Sequence, residues 1–537
     1  LATSIGDNRY NDRYHAGFSD EQRAAALALA QKYSDALRGI DPGTLDESHR
    51  VSHAILSRNL ANAIEGQRFP AHLMPLDQFR NFTGQFAQMG SGTGLHPFKT
   101  VKDYDDFLGR IRDFATTVDV AIANMRKGAA QGLVPPRALM EKAIPQIAAH
   151  VVDDPSKSIF YGPVTNMSTS FSAEDRARLR AAYEKAIREQ LVPSYRKLHE
   201  FVRDEYLPKT RATAGLSALP GGREWYDFNV RTLTTTNLTA DQIHQIGLSE
   251  VARIHGEMEK VKNEVGFTGD LKAFFKFVGE DKRFHFESRE AMLAAFRDAK
   301  TRIDALTPRL FDVQPKADYE IRPVEPFREK SAAGGSYQAA SPDGSRPGIF
   351  YANTYDLPSR HIWSMESLLL HEGSPGHHFQ ISVQRELESL PRFRRFGGFT
   401  AYIEGWGLYA ESIGKELGVY TDPYQYYGAL AGELWRAIRL VVDTGIHAKG
   451  WTREQAIEYA LANSSQSPVT VTAEVERFMA IPGQALAYKI GQLKITELRH
   501  RAERELGPKF DVKAFHRAVL EDGALPLEVL EEKIDRW

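Results

Sequence analysis

Apolar side chains recur every three to four positions along much of this chain of 537 residues, which is the spacing that gathers them on one face of an α-helix. Three such runs begin with a capping box, in which Ser19, Thr239 or Thr452 is followed three residues later by Gln. The spacing predicts long helices over residues 20–38, 102–128, 173–205, 239–264, 288–306, 424–447, 452–463 and 484–505. The chain is therefore predicted to be mainly α-helical.

Turn-forming residues interrupt this helical pattern at 211–228 and again at 334–357. In the second stretch, Pro-Asp-Gly and Arg-Pro-Gly turns precede a short apolar run that predicts one strand of a small β-sheet. We expect the segment 345–354 to be an edge strand at the rim of a cleft, where an extended peptide could pair as a further strand. Tyr351 and Asn353 on this segment are then candidate substrate contacts.

The length of the chain is enough for more than one domain. Residues 1–210 are predicted to form an N-terminal helical region, and residues 211–537 a catalytic region that contains a metal site. A single continuous domain is the alternative, because long helical proteins often form one unit.

The composition removes several classes of function. The 68 basic and 70 acidic side chains nearly cancel, so no global field attracts nucleic acid or anionic lipid. No apolar run approaches the roughly 18 residues that a membrane-spanning helix needs. The chain has 0 cysteines, which excludes disulfides, thiolate ligands and a cysteine nucleophile. His, Asp and Glu are left as the side chains able to hold a catalytic metal.

The stretch HEGSPGHHFQ, residues 371–380, is the strongest candidate for such a site. A predicted helix runs into His371, but His377 and His378 follow six and seven residues later rather than the four of the zinc motif HExxH. Neither could share an ion with His371 on a straight helix. Because Pro375 interrupts the helix, an insertion could return His377 to the place of the second histidine, or Ser374 could cap a new helix that carries both histidines in its first turn. Two solvated histidines in a turn are the alternative without a metal.

A second predicted helix, over residues 399–412, offers a third ligand. Glu404, Gly407 and Glu411 lie in phase on it, and the two carboxylates are about 10 Å apart along its axis. Only one of them could bind the ion, and the other would support the site or contact substrate. Gly405 and Gly407 inside a helix predict that another backbone, such as that of the metal helix, approaches closely.

A polar stripe in the helix 424–447 is the last candidate feature. It consists of Arg436, Arg439, Asp443 and His447. Such a stripe can be a solvated face held by pairs of charges. If it lies near the metal instead, Asp443 could orient a metal-bound histidine and the arginines could bind a substrate carboxylate, which would favour action at peptide C-termini.

Several of these motifs together resemble one bacterial family, known as domain of unknown function 885. They are HEGSPGHHFQ, IEGWGLYAE, RLVVDTGIH, IPGQALAYKIG and SPDGSRPGIFYANT, and the resemblance extends over nearly the whole chain. It implies a large helical, metallopeptidase-like fold with a small β-sheet beside a deep active-site cleft, and members that are often exported. IEGWGLYAE is also similar to the glutamate helix of thimet-type oligopeptidases, which implies Glu404 as third ligand and Glu411 as its support. The longer HEGSPGH leaves both His377 and His378 as candidates for the second ligand.

These observations lead to one predicted function, a zinc-dependent hydrolase that cleaves short peptides with one Zn²⁺ per chain. The predicted ligands are His371, His377 and Glu404, and Glu372 is the predicted general base. Tyr488 is the first candidate to stabilise the oxyanion, followed by His447 and Arg477, while His378 and Glu411 would support the ligands.

Two other functions use the same residues. One is a metal-binding or peptide-binding protein of the cell envelope without catalytic activity, and the other is an iron or manganese enzyme with the same two-histidine, one-carboxylate set. The sequence begins LATSIGDNRY, without an initiator Met or an apolar leader, which is expected if a signal peptide has been removed. A trimmed sequence would begin in the same way, so these residues leave the location open: the resemblance and the start favour an extracytoplasmic location, and a cytoplasmic one is the alternative.

Overall fold

The mainly α-helical prediction is confirmed by the computed structural model of the chain, which describes residues 2–3, 7–325, 329, 332–340 and 347–537. Up to residue 234 the helices are α1 (Asp20–Arg38), α2 (Glu47–Gly66), α3 (Phe82–Met89), α4 (Val101–Ala130), α5 (Arg137–Ala148), α6 (Gly162–Thr165), α7 (Ala173–Ala186), α8 (Val192–Glu200) and α9 (Gly222–Thr234). They are followed by α10 (Ala240–Glu264), α11 (Leu271–Glu280), α12 (Arg289–Leu306), α13 (Met365–Glu372), α14 (His377–Glu386), α15 (Arg392–Arg395) and α16 (Thr400–Ser412). The last are α17 (Gly414–Leu417), α18 (Pro423–Ala448), α19 (Arg453–Asn463), α20 (Pro468–Ala480), α21 (Ala487–Leu506), α22 (Val512–Leu520) and α23 (Leu527–Arg536).

The chain divides into two compact units. Unit 1 comprises Leu1–Gly39 and Asn59–Trp225, and unit 2 comprises Ile40–Arg58 and Tyr226–Trp537. The division differs from the predicted one at residue 210, and residues 40–58 belong to unit 2 although they precede most of unit 1 in the sequence. Contacts between residues distant in sequence decide this, and no local pattern in the sequence reports them.

Unit 1 has an aromatic core along α4. The ring of Phe86 stacks on Phe114 with centroids 4.3 Å apart and on Phe107 at 5.4 Å. The helix predicted at 173–205 contains two π-helical segments, Ile187–Leu191 and Phe201–Tyr206. Each segment contains the residue four positions before a proline. Because proline has no backbone N–H, the carbonyl group of that residue lacks its usual helical hydrogen bond, and the wider π-helical turn allows for this loss.

Unit 2 contains a sheet of three strands, β1 (Tyr319–Pro323), β2 (Gly335–Gln338) and β3 (Gly348–Ala352). The strand order is β1-β3-β2, with β3 parallel to β1 and antiparallel to β2. The predicted strand therefore exists, but the prediction that it is an edge strand is wrong. Both of its hydrogen-bonding edges are occupied, so no peptide can pair with it. Residues 341–346 of the predicted turn region lie outside the described residues.

The helices that carry the candidate ligands are anchored in one large apolar core. Leu369 and Leu370 of α13, Phe379 of α14, and Trp406 and Tyr409 of α16 are all buried in it. Around them, α10 packs along α18 and α16 packs along α21. Burial of this much apolar surface holds the three helices at fixed positions, which a metal site requires.

The two glycines of α16 permit two different close approaches. A Cβ atom on Gly405 would lie 2.5 Å from the Cα atom of Gly491, and one on Gly491 would overlap the carbonyl oxygen of Ala401, so the backbones of α16 and α21 touch here. A Cβ atom on Gly407 would lie 2.7 Å from Cε1 of His371. The predicted close approach is thus present, but α21 is the neighbouring backbone, and α13 contributes the imidazole ring.

None of the helices within the described ranges combines the length and the apolar content that crossing a lipid bilayer requires.

Candidate metal centre

A short loop brings the two histidines of HEGSPGH together. Helix α13 ends at Glu372 and α14 begins at His377, and the Ser374–Pro375 peptide bond between them is cis. A Cβ atom on Gly376 would overlap the carbonyl oxygens of Leu370 and His371, so the loop folds back onto the end of α13. Of the two predicted arrangements the observed one is a new helix with His377 in its first turn, although Gly376 rather than Ser374 is its N-cap.

His371, His377 and Glu404 form one cluster in which the candidate ligand atoms all lie within 4.8 Å of one another. The Oε2 atom of Glu404 is 3.5 Å from Nε2 of His371 and 3.4 Å from Nε2 of His377. These distances are long for hydrogen bonds. They match the separation of about 3.4 Å between two ligand atoms that each lie about 2.1 Å from a tetrahedral zinc ion. The three residues therefore fit a single ion.

Glu411 fixes the orientation of His371. Its Oε1 atom accepts a hydrogen bond of 2.7 Å from Nδ1 of His371, and its Oε2 atom accepts one from the Ser367 hydroxyl. In the neutral ring, which is the form that binds a metal, this hydrogen bond keeps the proton on Nδ1 and directs the Nε2 lone pair toward Glu404 and His377.

Among the described residues Asp443 contacts none of the candidate ligands, and its role in orienting a metal-bound histidine stays a prediction. Its carboxylate accepts a hydrogen bond of 2.6 Å from the Tyr226 hydroxyl and one of 3.1 Å from the backbone N–H of Gly483. These contacts join α18 to α9 and to the turn before α21. A buried carboxylate takes whichever donors the fold brings to it, and here they come from segments distant in sequence.

The cluster has a negative electrostatic environment. Burial alone would lower the pKa of His371, but the carboxylates of Glu404 and Glu411 outweigh it and raise that pKa to about 9. Burial disfavours ionisation of Glu404, yet the two histidines hold its pKa well below the usual range. The two carboxylates are therefore ionised at neutral pH, which favours a divalent cation at this position.

Glu372 is the last residue of α13 and lies beside the cluster. Its side chain is largely buried, with 8% of the residue exposed. Within the part of the chain that the structure describes, no residue donates a hydrogen bond to its carboxylate. Neither of its carboxylate oxygens is among the fully buried polar atoms that lack a partner, so the carboxylate keeps contact with solvent. Glu372 is thus chemically available as a proton acceptor next to His371.

His378 turns away from the cluster. Its Nδ1 atom lies 3.0 Å from the Tyr337 hydroxyl, and its ring centroid is 4.4 Å from that of Tyr319. Burial lowers the pKa of His378 to about 4, so it is neutral at physiological pH. One residue along a helix is a rotation of about 100°, which explains why His377 faces Glu404 and His378 faces the sheet.

Tyr488 is held by a set of residues that we call the Glu474 brace, namely Arg439, Glu474, Arg477 and Gln484. Glu474 accepts hydrogen bonds of 2.9 Å from both arginines. The guanidinium of Arg439 lies 4.6 Å from the Tyr488 ring centroid, and Gln484, itself bound by Arg477 at 2.7 Å, donates to the Tyr488 hydroxyl at 3.3 Å. Burial and the charge of Glu404 raise the pKa of Tyr488, so its hydroxyl keeps its proton and can donate.

Sequence reasoning missed Glu474 and Gln484. The sequence signal was the pair Glu474 and Arg477, spaced as neighbours on one helix turn, but such pairs are common on helix surfaces. The brace also corrects the prediction that Arg439 binds a substrate carboxylate, because its guanidinium is buried between Glu474 and the Tyr488 ring.

Three other predicted site residues have structural contacts instead. His447 is fully buried and its Nε2 atom donates to the carbonyl oxygen of Phe478 at 3.0 Å. Asn353 is fully buried and donates to backbone carbonyls of the preceding segment, Glu329 at 2.8 Å and Ala332 at 2.9 Å. Both side chains are fully buried, and the roles of His447 in stabilising the oxyanion and of Asn353 in contacting substrate stay predictions.

Tyr351 lies on β3, and its hydroxyl donates to the Gln338 side chain across the β2–β3 pair at 3.3 Å. The strand is paired on both edges, so the substrate role predicted for Tyr351 as part of an edge strand loses its basis.

The contact between Gly407 and His371 gives a prediction. In Gly407→Ala, the added methyl group would meet the imidazole ring at 2.7–3.0 Å and displace it. We expect a loss of about 1–3 kcal/mol in the free energy of unfolding together with weaker zinc binding, measured by urea denaturation and elemental analysis. The matched control is Gly256→Ala on α10, where a Cβ atom meets nothing within 4 Å. That variant should be neutral or slightly more stable. Equal behaviour of the two variants would contradict the packing described here.

Comparisons with known proteins agree with the resemblance drawn from the sequence. A family model described as bacterial protein of unknown function (DUF885) matches residues 1–534. The structure described as "the putative lipoprotein from Colwellia psychrerythraea" shares 29% sequence identity and a TM-score of 0.93, covering 100% of this chain and 95% of that chain. A "putative lipoprotein of unknown function from Shewanella oneidensis" shares 19% identity and a TM-score of 0.76 over 99% and 95% of the two chains, a likeness of fold alone. No curated protein matches the sequence. Since the family model spans almost the entire sequence, the chain belongs to the DUF885 family of bacterial proteins of unknown function.

Proposed function

We propose that this protein is a metal-dependent hydrolase of short peptides, with zinc as the ion that its donor set fits best. One observation carries the proposal. The Nε2 atoms of His371 and His377 lie 3.5 and 3.4 Å from Glu404 Oε2, and Glu372, whose carboxylate accepts no hydrogen bond from the described residues, follows His371 directly in sequence. Three protein ligands and one open position are the arrangement of catalytic zinc sites. The proposal includes the metallopeptidase-like character of the helical fold, with this site in a cleft.

A zinc ion held by these residues would polarise the scissile carbonyl group and make water a stronger acid. In the proposed mechanism Glu372 accepts the proton of the attacking water and passes it to the leaving amine. The Tyr488 hydroxyl donates a hydrogen bond to the oxyanion that forms on the substrate carbon. The Glu474 brace keeps the Tyr488 ring in place during this step, because Arg439 holds its face and Gln484 its hydroxyl.

The two rival functions use the same donor set. Iron and manganese also bind to two histidines and one carboxylate, and a protein without catalytic activity could retain the cluster. The position of Glu372 favours hydrolysis, because a proton acceptor for water needs a carboxylate directly beside the ligands and a simple binding site does not. Both solved relatives carry the word lipoprotein in their descriptions, and we extend to this chain a location in the cell envelope.

The test is digestion of a random octapeptide library, followed by mass spectrometry. The purified protein is assayed with zinc, after removal of metal by a chelator, and after zinc, manganese or ferrous iron is returned. We expect cleavage with zinc and loss of at least about 90% of the cleavage activity after chelation. Returning zinc should restore more activity than returning manganese or ferrous iron. Recovery only with iron or manganese would reassign the metal. A protein that binds about one zinc ion and cleaves no peptide would fit the binding-protein alternative.

A further inference from the structure

Arg436 on α18 has unused hydrogen-bonding capacity beside the candidate metal centre. Its Nη1 atom donates to the carbonyl oxygen of Gly432, one turn earlier in the same helix, at 3.0 Å. Its Nη2 atom lies 3.6 Å from Oε1 of Glu411, which is too long for a hydrogen bond. Its Nε atom is buried and has no partner among the residues that the structure describes. A guanidinium has five N–H donors, and among the described residues only the Gly432 carbonyl oxygen accepts a hydrogen bond from that of Arg436.

The other two arginines near Tyr488 differ from it. Arg439 donates to Glu474 at 2.9 Å, and its guanidinium lies 4.6 Å from the Tyr488 ring centroid. Arg477 donates to Glu474 through two nitrogen atoms and to Gln484 through a third. Arg439 also has buried N–H groups without a partner among the described residues, at Nε and Nη1, but its guanidinium faces the brace and its side chain is 11% exposed. Arg436 differs in lying beside Glu411, with a side chain that is 17% exposed.

The position of Arg436 relates it to the reacting centre. Glu411 lies between its guanidinium and the imidazole of His371, to which Glu411 is hydrogen-bonded at 2.7 Å. The side chain of Arg436 is 17% exposed, so a ligand can reach part of it. A buried N–H group without an acceptor is unfavourable, so a ligand that brings an acceptor to this guanidinium would be stabilised there. A carboxylate matches the planar fork of a guanidinium with two parallel hydrogen bonds.

We infer that Arg436 binds a carboxylate of the substrate and that the preferred substrates are peptides with a carboxylate close to the scissile bond. This inference rests on the proposed peptidase function. An extended peptide advances about 3.5 Å per residue, so a group bound at this position lies within a few residues of the reacting carbonyl. The carboxylate is either the free C-terminus or an Asp or Glu side chain. The first source makes the enzyme act near peptide C-termini, and the second makes it select acidic residues.

Two random octapeptide libraries distinguish these sources, one with a free C-terminal carboxylate and one with a carboxamide. If the C-terminus is bound, the wild-type protein cleaves the acid library at least about tenfold faster and at a fixed distance from the end. If a side chain is bound, both libraries are cleaved equally but only near Asp or Glu. In either case Arg436→Gln removes the preference and Arg436→Lys retains part of it. The control is Arg178→Gln, which removes one exposed charge paired with Asp105 in unit 1.

Elemental analysis and thermal unfolding of each variant exclude a merely structural role. If Arg436 only balances the charge of Glu411, Arg436→Gln loses metal while its preference for carboxylates stays as in the wild type. That result overturns the inference, as does a wild-type protein that shows no preference in either library. If the wild type cleaves neither library, the peptidase proposal has failed. The role of Arg436 is then tested by binding alone, by passing both libraries over immobilised zinc-loaded protein and measuring which peptides are retained. Stronger retention of acidic peptides that Arg436→Gln loses then supports the inference, and equal retention overturns it.

Discussion

Glu404→Ala is expected to abolish stoichiometric metal binding. The wild-type protein should retain about one zinc ion per chain after dialysis, and the variant should bind zinc at least about a hundredfold more weakly. The physical reason is that Glu404 is the common neighbour of the two histidines, with Oε2 3.5 Å from one Nε2 atom and 3.4 Å from the other. Without it two imidazoles remain, which is one ligand short of the usual site. Elemental analysis and calorimetric titration with zinc measure the effect.

The matched control is Glu388→Ala, in which the removed carboxylate is 86% exposed. It should bind zinc as the wild type does. Both variants should unfold cooperatively, so that a loss of metal is not a loss of fold. Undiminished zinc in Glu404→Ala, or no stoichiometric metal in the wild type after zinc is supplied, would refute the ligand assignment.

Glu372→Gln is expected to separate metal binding from turnover. An amide of the same size cannot accept a proton from water, so kcat should fall by about a hundredfold to ten-thousandfold. The metal should stay, because Glu372 is outside the cluster of His371, His377 and Glu404. The measurement is the initial rate of peptide cleavage at constant zinc occupancy, with occupancy read from the same samples.

The control for this second prediction is Glu416→Gln, which removes an exposed carboxylate paired with Arg499 at 2.8 Å. Its rate should equal that of the wild type. If Glu372→Gln cleaves peptides as fast as the control, another group accepts the proton and Glu372 loses its proposed role. If it loses zinc together with activity, Glu372 supports the ligands rather than the chemistry.

The polar stripe of α18 shows what helix periodicity predicts and what depends on the neighbouring elements. The stripe of Arg436, Arg439, Asp443 and His447 follows from helix periodicity and is present on α18. Its members nevertheless have different environments, since Arg439 belongs to the brace, Asp443 holds Tyr226 and His447 is buried against the Phe478 carbonyl. Arg436 lies beside Glu411, the partner of His371, and has a buried Nε without an acceptor among the described residues. Periodicity reports which side chains share a helix face, and the neighbours that meet this face decide what each one does.

The sequence by itself determined the features that arise from local interactions. Helix starts at Ser19, Thr239 and Thr452 followed from side-chain caps, and each is present with its predicted hydrogen bond. The break after Glu372 followed from Pro375, and the shared phase of Glu404 and Glu411 from the helical repeat. These features depend on residues within about one or two turns of each other, which a single sequence contains in full.

Tertiary structure decided everything that depends on residues far apart in the chain. It selected His377 over His378, because the direction in which α14 leaves the loop turns one toward Glu404 and the other toward Tyr337. It selected Glu411 over Asp443 as the partner of His371, and it placed β3 between two strands rather than at an edge. Each of these outcomes depends on how separate elements dock, and docking is set by the burial of apolar surface across the whole of unit 2, which no short stretch of sequence encodes.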